Sequence, residues 1–551
     1  MNRQIVEIFD TTLRDGLQVE GVSASVDDKL RIAEQLDHLG VHYIEGGWPG
    51  ANPKDIEFFA RAATELHLTT STFVAFGSTR RPRGKVDDDQ TLQHLLEANT
   101  SAVCIVAKSS DYHVTEALKT SLDEGAAMIG DSVAFLRGHG RQVLVDMEHF
   151  FDGFKDNPEF SFRALEAAVL NGASHVVLCD TNGGSLPHEI EEIVGKAHAH
   201  IGGDVTIGIH CHDDTGCAVA NSMAAVRGGA RHVQGTLNGL GERTGNANLT
   251  SIIPNLQLKQ DYACLPEGRM ERLTVVSHRV AETLNRAVDP QAPYVGSSAF
   301  AHKAGLHVSA IVRAKDAYEH VTPESVGNGT RFVVSEMAGK ATIQMKANDL
   351  GIDLDGPAVM QVIDDLKRLE HEGYHFEAAD ASLELLMRRS AGWEHEFFRV
   401  ESMRVITDEV ASGAFNTEAT VKVWVGPPED QKRCVFTAEG NGPVNAIDMA
   451  LRSAVGEAYP HLASIHLTDY KVRILEGGGA TGAVTRVLLS ATDGINDWTT
   501  IGVSPNIIEA SWRALEESVV YGLLHAPQKV SDTSRSNASR ATSCAPPAGG
   551  V

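Results

Sequence analysis

Residues 1–270 alternate short apolar runs with longer amphipathic segments, and this alternation restricts the fold more than any other feature of the chain. Eight runs read as strands: IVEIFD, YIEGGWP, STFVAF, AVCIVAK, QVLVDME, HVVLCDT, VTIGIHCH and HVQGTLNG. The segments between them carry helical periodicity. In SVDDKLRIAEQLDHLG, Leu30, Ala33, Leu36 and Leu39 share one face and Gly40 closes the helix. Strand–helix alternation implies a parallel sheet. Eight such units in about 250 residues predict a (β/α)8 TIM barrel.

In such a barrel, polar residues at strand C-termini carry the chemistry. Here successive runs end in Asp10 to Asp15, Glu45, Lys108, Glu148, Asp180–Thr181, His210–His212 and the segment NGLGERTGN. Any one of these taken alone is a helix cap or a solvated loop residue. Their recurrence at the same end of successive strands points to a site.

His210 and His212 stand at i and i+2 on a strand and so project to one face. A bare His-x-His also describes two solvent-facing side chains. At a barrel mouth it makes a metal-ligand pair that needs a third ligand. Asp15, just beyond the first strand, is the best donor, because only the eighth strand separates the first from the seventh in a closed barrel. Asn246, in the eighth loop, offers an amide oxygen. Two His, one Asp and one amide suit a divalent ion such as Zn, Mn, Co or Mg, with room for water or substrate. Arg14, next to Asp15, reads as a cation for an oxyanion or a carboxylate, or as a surface salt bridge.

Beyond the barrel the reading is an α/β chain continued by two further parts. Residues 271–397 read as a mainly helical linker that contains SSAFAHKAGLHVSA. Residues 398–526 read as an α+β domain with an internal repeat. Each copy, from Gly440 and from Gly502, carries Gly-x-x-Pro and then an amphipathic helix. The tail, 527–551, is rich in Ser, Pro and Gly and is expected to be disordered.

A formal net charge of −25 argues against nucleic acid or an anionic membrane as partner, though not against an anionic small substrate. The seven cysteines are scattered, with no CxxC pair, and are expected to be reduced thiols. The N-terminus enters a strand-like run with no signal core, and no stretch approaches 18 uninterrupted apolar residues, so a cytoplasmic location is expected.

Six stretches in order, DTTLRDGLQ, IEGGWPGANPKD, HCHDDTG, GERTGNANL, AFAHKAGLHV and GATGAVTRVLLSATDG, resemble the metal-dependent Claisen-condensing enzymes. That family includes 2-isopropylmalate, homocitrate and citramalate synthases. IEGGWPGANPKD and AFGSTRR look most like the citramalate branch, and the resemblance runs to about residue 526. It implies condensation of acetyl-CoA with pyruvate and water to give (R)-citramalate and CoA, for isoleucine biosynthesis. The alternative is 2-isopropylmalate synthesis from 2-oxoisovalerate.

By position, the resemblance makes Asp15, His210 and His212 metal ligands and places Asn246 at the metal. It puts Arg14 on the keto oxygen and Glu45 behind that arginine. Glu148 becomes an acidic active-site residue, and Thr181 a contact of the substrate carboxylate. His307 and Tyr318 match residues inserted by a partner subunit, which implies a homodimer; His302 is the other histidine of that stretch. The C-terminal domain resembles an amino-acid-binding regulatory domain. Gly440, Gly442 and Val444 match positions near the feedback inhibitor, and isoleucine is the ligand expected there.

Overall fold

The computed structural model describes residues 3–526 apart from 204, 304–309, 312, 315–317, 333, 335–337, 396, 410–414, 428 and 476–481. All eight expected strands form: β1 (Glu7–Asp10), β2 (Tyr43–Gly47), β3 (Thr72–Ser78), β4 (Ala102–Lys108), β5 (Gln142–Glu148), β6 (His175–Asp180), β7 (Thr206–Cys211) and β8 (His232–Gly235). They close into a parallel barrel in chain order. Closure is the β8–β1 pairing, from Glu7 opposite His232 to Asp10 opposite Gly235.

The helices between them start and stop where the sequence directs. Val26–Leu39 opens on Ser25, whose side chain accepts from the Asp28 backbone while Asp28 answers with its carboxylate. It ends at Gly40, whose φ of 92° suits glycine. Its apolar face, Leu30, Ala33, Leu36 and Leu39, is buried in the large cluster between strands and helices. A smaller cluster of Phe9, Tyr43, Val74, Phe76, Ala102, Cys104 and Leu144 fills the barrel interior. The mouth is therefore carried by a packed, rigid frame.

The chain divides into two compact units, one with residues up to Ala301 together with 315–331, the other with 302–314 together with residues from Phe332 on. Helix formation between the barrel and the C-terminal strands is less even than expected. Leu273–Thr283, Lys340–Asp349, Gly356–His371 and Asp380–Ser390 are helical. Residues 284–339 hold little regular structure among those described. Pro290, Pro293 and Pro323 each remove a backbone donor there.

The second unit contains the expected repeat. β9 (Phe398–Glu409), β10 (Phe415–Val425) and β11 (Lys432–Gly440) form one antiparallel sheet. β12 (His466–Ile474), β13 (Thr485–Thr492) and β14 (Asp497–Ser504) form another. The helices Pro443–Gly456 and Ile507–Leu524 follow the third strand of each. The copies differ at the helix start. Pro443 is the first helical residue of one, whereas Asn506 caps the other after Pro505. Among the described residues no helix is long and apolar enough to cross a membrane.

Candidate active site

Beyond β1 the chain turns back over the barrel mouth. Thr12 donates its backbone N–H and its hydroxyl to the Asp10 carboxylate (2.8 and 3.0 Å), and the Asp15 N–H returns to the Thr11 carbonyl. That turn places Arg14 and Asp15 beside the end of β7. His210 Nε2 lies 3.2 Å from Asp15 Oδ2, and the ligating atoms of Asp15, His210 and His212 all fall within 4.8 Å of one another. All three residues are buried.

Hydrogen bonding sets the His210 tautomer. Its Nδ1 is 2.8 Å from Gln234 Oε1, and the Gln234 amide nitrogen is committed to Asp146 (2.9 Å). Gln234 therefore accepts, Nδ1 carries the hydrogen, and Nε2 turns its lone pair toward the Asp15 carboxylate. Two acceptors facing each other at 3.2 Å call for a proton or a cation between them. The charge balance agrees. Burial works against both charged groups, yet Asp15 raises the pKa of His210, while Arg14 and His210 hold Asp15 well below the usual carboxylate range. Burial, with His210 alongside, pushes His212 down to about 4, so its ring is neutral.

Asn246 completes the set from the β8 loop. Its amide nitrogen donates to the Leu240 carbonyl (3.2 Å), which leaves Oδ1 buried without a partner, as is His212 Nδ1. A Cβ on Gly241 would come within 2.2 Å of the Asn246 amide, so only glycine fits there. Orphaned oxygen and nitrogen beside a carboxylate–imidazole pair fit a divalent ion well.

Arg14 is held from three directions. Nε donates to Glu45 Oε2 (2.6 Å), an Nη donates to Asp15 (3.2 Å), and the guanidinium lies 4.0 Å from the centre of the Phe76 ring. Glu45 is fully buried, and burial pushes it up to about 7 against the pull of Arg14. Glu148 ends β5 in ion pair with Lys108, its register partner on β4. Thr181 Oγ1 accepts from the His149 N–H at 2.9 Å. His149 sits at φ 56°, a left-handed backbone rare outside glycine, and its ring stacks on His113 at 3.8 Å.

One cleft of about 280 Å³ gathers Arg14, Asp15, Glu148, Thr181, His210 and His212. Trp48, Phe76 and Val106 form its apolar wall. Glu45 and Asn246 stand behind this lining. Tyr318 is exposed and does not line the cleft, and His307 lies outside the described residues. Gly440 ends β11, Gly442 caps the following helix Pro443–Gly456, and Val444 is that helix's second residue.

Three participants were missed in the sequence. Asp146 lines the cleft two residues before Glu148, a spacing that puts both on one strand face. Gln234 bridges His210 and Asp146, and Trp48 shares the apolar wall with Phe76.

Comparison with known proteins places this arrangement. Residues 5–280 match the HMGL-like family, 294–374 the homocitrate synthase post-HMGL domain-like family, and 377–523 the LeuA allosteric (dimerisation) domain. An (R)-citramalate synthase of Streptomyces coelicolor is 52% identical over 94% of this chain and 97% of its own. One from Aquifex aeolicus is 50% identical over 94% and 98%. A probable 2-isopropylmalate synthase of Methanopyrus kandleri is more distant, at 32% over 93% and 97%. With half its length matched by the barrel and nearly all of it by such relatives, the chain belongs to the HMGL-like family and groups with proteins named (R)-citramalate synthase.

Proposed function

We propose that this chain joins the methyl carbon of acetyl-CoA to the keto carbon of pyruvate, with water then releasing CoA and (R)-citramalate. The observation that carries the reading is the convergence of Arg14, the Asp15–His210–His212 set and Glu148 in one cleft.

Asp15, His210 and His212 would hold a divalent ion, with Asn246 Oδ1 as a further oxygen. The chemistry such an ion supplies is Lewis acidity at the keto oxygen. Arg14, fixed by Glu45 and Asp15, donates to the same oxygen as charge gathers there, without reorganising during reaction. Glu148, ion-paired with Lys108, is the carboxylate that takes a proton from the acetyl methyl group. Thr181 faces the substrate carboxylate. His307 and Tyr318 are assigned to the neighbouring subunit's site.

The wall explains a preference for a small 2-oxo acid. Trp48 and Phe76 meet edge to face at 5.7 Å, and Phe76 also carries Arg14 on its ring. A keto oxygen at Arg14 sets the alkyl group against these rings. Each additional methyl group changes discrimination by about 1–3 kcal/mol.

We assign residues 398–526 to dimerisation and feedback binding of isoleucine. Support comes from exposed apolar side chains on its strands, Val435 and Phe436 on β11 and Val472 and Ile474 on β12, which suit a subunit interface. Measuring thiol release from acetyl-CoA with a panel of 2-oxo acids tests the reading. Pyruvate should give the highest kcat/KM, and isoleucine should lower it. Preference for 2-oxoisovalerate would make the chain a 2-isopropylmalate synthase, and no release with any 2-oxo acid would refute a condensing enzyme.

A further inference from the structure

The opposite end of the barrel carries a second carboxylate–imidazole set. Glu7 lies on β1 two residues before Phe9, on the same inward face, and His175 and His232 are the first residues of β6 and β8. His175 Nε2 is 2.7 Å from Glu7 Oε2, and His232 Nδ1 is 3.5 Å from the same oxygen. The three ligating atoms lie within 4.8 Å of one another, the spread seen at the mouth.

Three observations point to an ion. His232 is fully buried, yet apart from the long 3.5 Å approach of Glu7 to Nδ1 neither ring nitrogen has a hydrogen-bond partner, and leaving such buried groups unpaired is unfavourable. Ser174 Oγ lies 2.9 Å from His175 Nδ1 and aims the other ring nitrogen at Glu7. The barrel also makes room for the His232 ring at Gly208 of β7, where a Cβ would come within 2.8 Å of His232 Cδ2. Glu7 keeps 27% of its side chain exposed, which leaves a path for an ion and a water. The rings of Tyr43 and Phe9 enclose the rest, 5.7 and 5.3 Å from His232.

We propose that Glu7, His175 and His232 form a second divalent-metal site, for an ion of the Zn class with water as fourth ligand. Two imidazoles and one carboxylate are a zinc-type donor set. An ion there would clamp β1, β6 and β8, and so the β8–β1 seam that closes the barrel. The inference does not rest on the proposed reaction.

Zinc alone is the probe, counted by equilibrium dialysis of the chelator-stripped full chain. The unmodified chain should bind two ions, His212→Ala one, Glu7→Gln one, and the double variant none. Zinc should raise the Tm of His212→Ala but not that of the double variant. Glu7→Gln keeps the side chain's volume, and circular dichroism checks its fold. If it unfolds, His175→Gln takes its place. Equal zinc uptake by Glu7→Gln (or His175→Gln) and the unmodified chain overturns the site. If the mouth binds nothing, the unmodified chain and His212→Ala each bind one ion and Glu7→Gln none, so the two assignments fail separately.

Discussion

The mouth and the floor of this barrel each hold one carboxylate and two imidazoles with ligating atoms inside 4.8 Å. Their surroundings differ. At the mouth the ligands are embedded in further polar chemistry: Arg14 on Asp15, Gln234 and then Asp146 on His210, and the Asn246 amide opposite His212. A cleft of about 280 Å³ opens onto them. At the floor the set is flanked by Phe9 and Tyr43, and Ser174 orients one ring. A ligand set gives a capacity for metal. Reactivity needs in addition a fixed cation, an acid–base group and room for substrate. The mouth offers Arg14, Glu148 and an open cleft for these parts, at the end where parallel barrels concentrate function, while their floors concentrate stability.

The sharpest way to break this contrast is His212→Ala. Loss of a mouth ligand should lower turnover at least about 1,000-fold, on the order of 4 kcal/mol of transition-state stabilisation, with Tm nearly unchanged. Thiol release and a thermal melt of the same preparation measure both. Turnover within tenfold of the unmodified chain would remove the mouth's distinction.

Gln234→Leu probes the layer behind the ligands. It frees His210 to change tautomer and removes the Gln234 amide donor from Asp146. Apparent metal affinity, read from activity against metal concentration, should weaken about 10–100-fold. An unchanged affinity would mean that His210 needs no orienting partner.

Toward the floor, substitution should register in stability and in its pH dependence. Asp37 accepts from the backbone N–H groups of Thr69, Thr70 and Ser71, pinning the loop that leads into β3. Burial opposes its charge, but these donors lower its pKa below the ordinary value. A carboxylate so depressed stabilises the fold fully above about pH 4, and loses that contribution as pH falls through the folded-state value. Asp37→Asn should therefore cost about 2 kcal/mol at pH 7, with the gap to the unmodified chain closing below about pH 4. Denaturant midpoints at several pH values measure it, and a gap that widens in acid contradicts the assignment.

Much of this was readable before any coordinates. All eight strand runs formed, because hydrophobic runs bounded by capped helices leave a closed parallel sheet few alternatives. His210 and His212 were visible because they are neighbours on one strand, and Asp15 because strand order brings the first and seventh loops together. Asp146 and Gln234 escaped because they sit on β5 and β8, and alternation gives the face of a residue but not its height in the barrel. Glu7, His175 and His232 escaped for the same reason, each at the start of a different strand with no spacing to mark it. Among the described residues of 284–339 little helix forms where the sequence reads as mainly helical, and Pro290, Pro293 and Pro323 each lack the backbone donor a helix interior needs.

The smallest expected effect gives the finest test of the floor. Ser174 Oγ has two contacts, the Val143 carbonyl at 3.0 Å and His175 Nδ1 at 2.9 Å. With a single hydroxyl hydrogen given to the carbonyl, the oxygen accepts from His175 Nδ1, and that bond holds the ring with Nε2 on Glu7 Oε2 at 2.7 Å. Ser174→Ala should cost about 1 kcal/mol in the metal-free chain, the value of one ordinary hydrogen bond. If the hydroxyl serves only the loop before β6, the Tm difference from the unmodified chain will be the same with and without zinc. If it aims a ligand, zinc will stabilise Ser174→Ala less than the unmodified chain, and the difference will grow as zinc is added. Melts of both chains in the His212→Ala background, where the mouth set is broken, isolate the floor.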